Sequence, residues 1–392
     1  MSSIEPSNHP SDSYKAVVYT GSIDPLVKTV NIFKTVDELI PGPDELLVKV
    51  HACSCNPTDY KHYLAHWGVK DITVGSDLSG TVVKIGSETK KLFKIGDYVA
   101  SFVHGGYTYQ PFSGAFQEYV IVPAATTLKF NNNLYNIKHS DTNIDFCSSS
   151  IIDSFEAASS LPLGLATVGM SLHFNFKLDE NKKATNSQNW ILIWGGTTAT
   201  GFLAIQIAKK LYGLKVITTA NASKYNDILK SKGADEVVDY HDKDMITKIK
   251  DITTANGYKG VVYALDTVSN PDTYNSCYSC LKEGESYLDN LLSLQPDILK
   301  TIDPKKKVNF LTTLVYLVNG KAQNLNGTII ESSKELVESF NHYWNNVQRL
   351  IDTNQISHIP LTILPNGLES ANDGLRLLSE SKVSCHKIVL QV

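Results

Sequence analysis

Between Tyr14 and about Val122, apolar residues recur in short runs, AVVYT, ELLVKV, SGTVVKIG, DYVASFV and FQEYVIV, broken by PGPD, GS and IGD turns. Runs of this length, rich in β-branched residues and bounded by turn formers, predict strands. Their close spacing predicts one partly closed β domain. The polar stretch from Asn131 to Ser150 has little apolar periodicity and is expected to be an exposed loop. Beyond Trp190 the period lengthens. NWILIW is continuously apolar, GFLAIQIAKKLYG places apolar residues at helical spacing, and KVITT is apolar again; together they predict a βαβ unit. The alternation continues through a helix near Ser223 to Lys232, EVVDY, a helical DMITKIKDI, GVVYALD, a segment opened by Pro271, SYLDN and VNFLTTLVYLV. Such repetition predicts an α/β domain, a doubly wound parallel sheet of six strands with helices on both faces. A helix near Lys334 to Leu350 and a terminal KIVLQV strand are expected to return to the first domain.

On this pattern the chain is expected to divide into a disordered Ser-, Pro- and Asn-rich tail at 1–13, the first part of the β domain at 14–160, the α/β domain at 161–318 and a return segment at 319–392. With 392 residues, 42% of them hydrophobic, it is long and apolar enough for two cores. Lys and Arg number 36 against 40 Asp and Glu, which argues against nucleic acid or an anionic membrane as partner. No run approaches the ~20 apolar residues of a membrane span, and MSSIEPSNHPSDS lacks the basic and apolar parts of a signal peptide. A cytoplasmic location is expected, with six reduced cysteines rather than a disulfide framework. Arg349 and Arg376 are the only arginines, so an anion site must use lysine, hydroxyls and backbone N–H groups.

The chemistry starts in the segment Trp194 to Gly201, which falls between the first apolar run and the first helix of the α/β region. A dinucleotide pyrophosphate would meet free N–H groups there. Aligned to G-x-G-x-x-G, Gly196 supplies the tight turn, Thr198 replaces the middle glycine and Gly201 allows close packing of helix on strand, with Thr197, Ala199 and Thr200 completing the cradle. An acid beyond the second strand would grip the ribose 2′-OH of NADH, but Thr218 to Tyr225 contains none. Ser223 and Lys224 instead offer a donor and a charge to a 2′-phosphate, and Tyr240, at the end of the third strand, completes that pocket. NADPH is therefore expected, with NADH less favoured.

At this point the chain resembles the medium-chain dehydrogenase/reductase superfamily, in which a GroES-like β domain leads into a Rossmann domain and returns. The residues that carry the likeness are Asn56 to Lys61, Gly75 to Gly80, Gly96 to Val99, Gly114 to Tyr119, Leu161 to Thr167 and the turn above. Within the superfamily it is similar to zinc-free quinone and enoyl reductases, above all to fungal ToxD-like enoyl reductases and yeast NAD(P)H-dependent aldehyde reductases. Zinc-dependent relatives place metal ligands where this chain has Asn56, Ser76 and Leu163, a set with no thiolate or imidazole for zinc. No metal is expected. Cys53-x-Cys55 and Cys277-x-x-Cys280 lack a second pair at zinc-finger spacing and are expected as structural thiols.

The resemblance implies hydride transfer from NADPH to an α,β-unsaturated carbonyl, a quinone or a reactive aldehyde. Such substrates spread or readily accept the developing charge, so orientation and hydrogen-bond donors suffice. It implies Lys61 as donor or cofactor-orienting group, Thr167 beside the nicotinamide, Asn56 and Tyr60 against substrate, Asn56 also against cofactor, and Lys387 near the cofactor phosphates. Tyr60, Lys61 and Thr167 are thus the catalytic candidates, and Asp59 is expected to be structural. The partner is a small carbonyl compound, and the chain works as a monomer or homodimer. Two alternatives stay open: an NADPH-binding but catalytically silent crystallin-like or regulatory protein, and a trans-acting enoyl reductase that serves a polyketide synthase.

Overall fold

The computed structural model of the chain describes residues 13–131, 134–138 and 144–392. The tail expected at 1–13 falls, except for Ser13, outside them. Strands β1 (Tyr14–Tyr19) and β2 (Val27–Ile32) form an antiparallel pair. Then come β3 (Glu45–Ser54), helix α1 (Pro57–Leu64), β4 (Asp77–Ile85), β5 (Tyr98–Phe102), β6 (Tyr119–Pro123), β7 (Thr127–Phe130), β8 (Asp145–Cys147) and helices α2 (Phe155–Ser159), α3 (Pro162–Gly169) and α4 (Lys183–Asn186). The ten-residue β3 is the hub, pairing with β4 along most of its length and with β6 at its start.

The second domain repeats strand and helix: β9 (Trp190–Trp194), α5 (Ala199–Lys210), β10 (Lys215–Ala220), α6 (Ala222–Lys232), β11 (Glu236–Asp239), α7 (Met245–Thr254), β12 (Val261–Asp266), α8 (Pro271–Cys280), β13 (Gly284–Asn290) and β14 (Lys306–Thr312). All five pairings are parallel, in the order β11-β10-β9-β12-β13-β14. Every residue of β9 is buried, as a central strand covered on both faces requires. The order reverses around β9, so a crevice opens at the carboxyl ends of the strands, where open α/β sheets bind ligands.

VNFLTTLVYLV is only partly strand: after Thr312 the chain turns into a 3₁₀ segment at Val315–Asn319. Val315 to Val318 are buried against α3, so packing on the first domain overrides an apolar run that looked like one strand. A hairpin of β15 (Gln323–Leu325) and β16 (Thr328–Ile330) leads to α9 (Lys334–Asp352), β17 (Leu361–Leu364), α10 (Ala371–Ser379) and β18 (Lys387–Gln391). α9 buries Leu336, Phe340, Tyr343, Trp344, Val347, Leu350 and Ile351 along one stripe. It joins both parts, since the Tyr343 hydroxyl donates to the Leu165 carbonyl in α3 and the Trp344 indole donates to the Thr127 carbonyl in β7.

β18 pairs antiparallel with the end of β3, as the return predicts, and parallel with β17. The polar stretch expected to be a loop contains β8, which β17 recruits as a three-residue edge. Its own pattern carries no strand signal; the partner's open edge does. Among the described residues no helix is long and apolar enough to cross a membrane.

Candidate active site

The glycine turn follows β9 into α5. Gly195 carries the left-handed backbone, with φ +84°. The turn therefore hinges one residue earlier than expected, and Gly196 serves close approach instead, since a Cβ there would lie 2.3 Å from the Thr218 hydroxyl. At Gly201 a Cβ would lie 2.2 Å from the Gly195 carbonyl, so the missing side chain lets the first turn of α5 close on the glycine turn itself. Thr198 caps α5, accepting from the Gly201 N–H at 2.9 Å, and lies 2.8 Å from the Thr267 hydroxyl. That hydroxyl, expected on the cofactor, is engaged inside the turn. The N–H groups of Ala199 and Thr200 have no intrahelical acceptor, and with Thr197 these residues are half-buried at the mouth of the helix. A turn whose three glycines carry no Cβ, with helix N–H groups at its mouth, fits a dinucleotide phosphate.

Ser223, Lys224 and Tyr240 stand just beyond the carboxyl ends of β10 and β11. Ser223 and Lys224 open α6, and Tyr240 donates its N–H to the Ala220 carbonyl at the end of β10. The Lys224 amine sits 5.0 Å over the Tyr225 ring. An acid does stand here, but it comes from the neighbouring strand: Asp239 accepts the Ala222 N–H at 2.8 Å and two N–H groups of His241. Both its oxygens are occupied by capping bonds.

Lys387 corrects an expectation. Its amine is 4% exposed and donates to Asn56 Oδ1 at 2.5 Å and to Asp77 at 3.3 Å. The alternation of β18 turns this side chain inward, while the preceding residue but one, Cys385, donates its N–H to the Thr197 carbonyl. The loop thus touches the phosphate turn, and the lysine does not serve it.

Lys387 completes a buried polar cluster where the zinc-dependent relatives have their ligands. The Asn56 amide donates to Asp77 at 2.9 Å and to the Ser54 carbonyl at 3.2 Å. Both its N–H bonds are spent, which makes Asn56 a holder of the site rather than a donor to substrate. Asp77 also accepts the Leu163 N–H at 2.7 Å, so one carboxylate ties the starts of α1 and α3. Ser76 donates to Asp59 at 2.7 Å, and Asp59 accepts the Asn56 N–H at 2.7 Å. Burial, with Asp77 nearby, pushes the Asp59 carboxyl up to about 7 against the pull of those two bonds. Among the described residues no group of three or more His, Cys, Asp or Glu side chains could hold a metal ion, and all six cysteines are free.

Tyr60 and Lys61 stand half-buried on α1; burial raises the Tyr60 phenol and lowers the Lys61 amine. Thr167 is buried in α3, and its hydroxyl donates to the Leu163 carbonyl at 2.7 Å, leaving it only lone pairs to offer. Sequence reasoning missed Gly195, whose only signal is the GG doublet, and Asp77, which stands inside the GSDLSG motif. It also missed Tyr316, which nothing in the local pattern marks. Tyr316 follows β14, reaches across to α1, and meets the Thr58 hydroxyl at 3.0 Å.

A two-domain oxidoreductase with a dinucleotide crevice is the class that this fold and site define. Residues 42–132 match the alcohol dehydrogenase GroES-like domain, and residues 199–288 match the zinc-binding dehydrogenase family. The chain is 32% identical over 356 residues to the uncharacterized protein YNL134C of Saccharomyces cerevisiae, covering 89% of this chain and 92% of that protein. It is 31% identical over 363 residues to the trans-enoyl reductase caaB of Aspergillus niger, covering 89% and 90%. A quinone oxidoreductase from Pseudomonas syringae shares the fold at TM-score 0.69 and 18% identity, over 96% of this chain and 99% of that one. The chain belongs to the medium-chain dehydrogenase/reductase superfamily and is similar to its trans-enoyl reductases.

Proposed function

We propose that this protein is an NADPH-dependent reductase that passes hydride to α,β-unsaturated carbonyls, quinones or reactive aldehydes without zinc. The observation that carries this reading is the closed cluster at Asn56, Ser76 and Leu163, whose polar groups bond to Asp59, Asp77 and Lys387. An ammonium and hydrogen bonds fill a place that demands soft or imidazole ligands if a metal is to bind. NADPH, when bound, supplies the hydride. Gly195, Gly196 and Gly201 let its pyrophosphate approach, the N–H groups of Ala199 and Thr200 face it, and Ser223, Lys224 and Tyr240 receive the 2′-phosphate. Tyr60, Lys61 and Thr167 border the nicotinamide and substrate, with Asn56 holding the start of α1 against α3. The protein acts in the cytoplasm on small carbonyl compounds, as a monomer or homodimer.

The test is a substrate panel with NADPH and NADH in parallel, with and without chelator, alongside elemental analysis. Steady NADPH oxidation that survives chelation is expected. About one zinc per chain, lost together with activity, overturns the reading. The likeness to the Aspergillus niger trans-enoyl reductase favours one second reading, an enoyl reductase acting on chains carried by a polyketide synthase. Carrier-bound enoyl substrates reduced far faster than free ones would select it.

A further inference from the structure

A zinc-free reductase needs a donor for the oxygen that gains charge, and most hydroxyl and amide protons of this site are already committed. The Asn56 amide gives both to Ser54 and Asp77, Ser76 gives its proton to Asp59, and Thr167 gives its own to Leu163. Thr58 is committed as well. His62 Nδ1 lies 2.9 Å from the Gly105 carbonyl, which only accepts, so Nδ1 carries the ring hydrogen. Nε2 is then an acceptor, and the Thr58 hydroxyl 2.7 Å away donates to it. The same logic runs one step further: with its proton spent, Thr58 accepts from the Tyr316 phenol at 3.0 Å.

Tyr316 therefore ends a directional chain, and its proton rests on a neutral hydroxyl that a charged oxygen outcompetes, since charge-assisted bonds are roughly twice as strong. Its ring is held rigidly, stacked on His104 with centroids 3.7 Å apart and planes 7° apart. His104 is sandwiched from the other side by Tyr107 and pinned by Gln323 at 2.8 Å. Tyr316 also lies just beyond the carboxyl end of β14, the outermost strand on one side of the sheet. Its hydroxyl meets Thr58 on α1, one residue before Asp59 and two after Asn56, so it stands beside the cluster that fills the metal position. By contrast, no hydrogen bond fixes the Tyr60 or Lys61 side chain among the described residues.

We propose that Tyr316 is the oxyanion donor of this reductase, its phenol leaving Thr58 to donate to the substrate carbonyl oxygen as charge develops there. The inference rests on the reductase reading above. As an enone accepts hydride and its electron pair at the β-carbon, the C=C pair shifts to leave an enolate whose oxygen takes the Tyr316 hydrogen bond, and water supplies the proton that completes the product. The phenol does not ionise: burial and the two carboxylates raise its pKa, so it donates a bond and keeps its proton.

The experiment compares wild type with Tyr316→Phe, which keeps the ring stack and removes only the hydroxyl. Cyclohex-2-enone, trans-2-hexenal and benzoquinone serve as substrates, NADPH affinity is read by fluorescence, and 4-nitrophenolate with NADP⁺ serves as an absorbing oxyanion. The expected result is a loss in kcat/KM of about 10² or more, unchanged NADPH affinity and melting temperature, and loss of the tight nitrophenolate complex. Near wild-type turnover and nitrophenolate binding in Tyr316→Phe overturn the inference. So does a variant that loses NADPH binding and thermal stability along with activity, because Tyr316 is then a tie between domains. Wild type that binds NADPH yet reduces nothing on the panel breaks the reductase reading, and the nitrophenolate titration still decides whether Tyr316 holds an oxyanion.

Discussion

The glycine turn and the buried cluster are two halves of one site built on opposite principles. In the turn, side chains are small or turned inward, and the N–H groups of Ala199 and Thr200 keep no intrahelical acceptor; Gly195, Gly196 and Gly201 leave no room for a Cβ without collision or strain. In the cluster the described side-chain groups are paired: the Lys387 ammonium bonds Asp77 and Asn56, and Asp59 accepts from Ser76. The turn is poised to bind an anion from outside, while the cluster is an internal frame that holds α1 against α3. Substitutions in the turn are thus expected to act on cofactor affinity, and substitutions in the cluster on stability and pH dependence.

The largest expected effect falls on the frame. Lys387→Met strands Asp77 without its cation, and breaking a buried pair on one side typically costs about 3 to 5 kcal/mol. Chemical denaturation should show that loss, with Lys387→Met/Asp77→Asn recovering part of it. Stability within error of wild type would mean that the cluster is not held by this pair.

Asp59 sharpens the same contrast through pH. Its carboxyl, pushed up to about 7 from 3.8, binds more protons in the native state than in the unfolded chain between those values. Its contribution to stability therefore falls as pH rises from about 4 to about 7. Asp59→Asn removes the titration, so the stability difference between variant and wild type should change across that window, by up to about 4 kcal/mol. Parallel pH profiles would place the uncompensated charge elsewhere.

The smallest effect belongs to the crevice. Lys224→Ala should weaken NADPH by roughly tenfold, the discounted scale of one exposed charge-assisted contact. NADH affinity and unfolding should stay unchanged. Equal loss for both cofactors would show that Lys224 does not meet the 2′-phosphate.

The turn was largely legible in the residues from Trp194 to Gly201 because its partners are close in sequence. Thr198 caps a group three residues on, and apolar periodicity already places strand before helix. The assignment between the two adjacent glycines failed, since spacing does not report φ, and the Thr198 hydroxyl expected on the cofactor is spent inside the turn. The expectation that Lys387 approaches the cofactor phosphates failed for another reason: a motif match says where a residue sits along β18, and the pleat decides which way it points.

The sequence by itself determined the order of elements, the two-domain plan and the glycine turn, because periodicity, turn residues and capping act over a few residues. Tertiary structure decided which protons and charges the site has left to use. Lys387 meets Asn56 across 331 positions, Tyr316 meets Thr58 across 258, and Gln323 fixes His104 across 219. Hydrogen-bond direction depends on every partner in such a chain, and no local pattern carries that information.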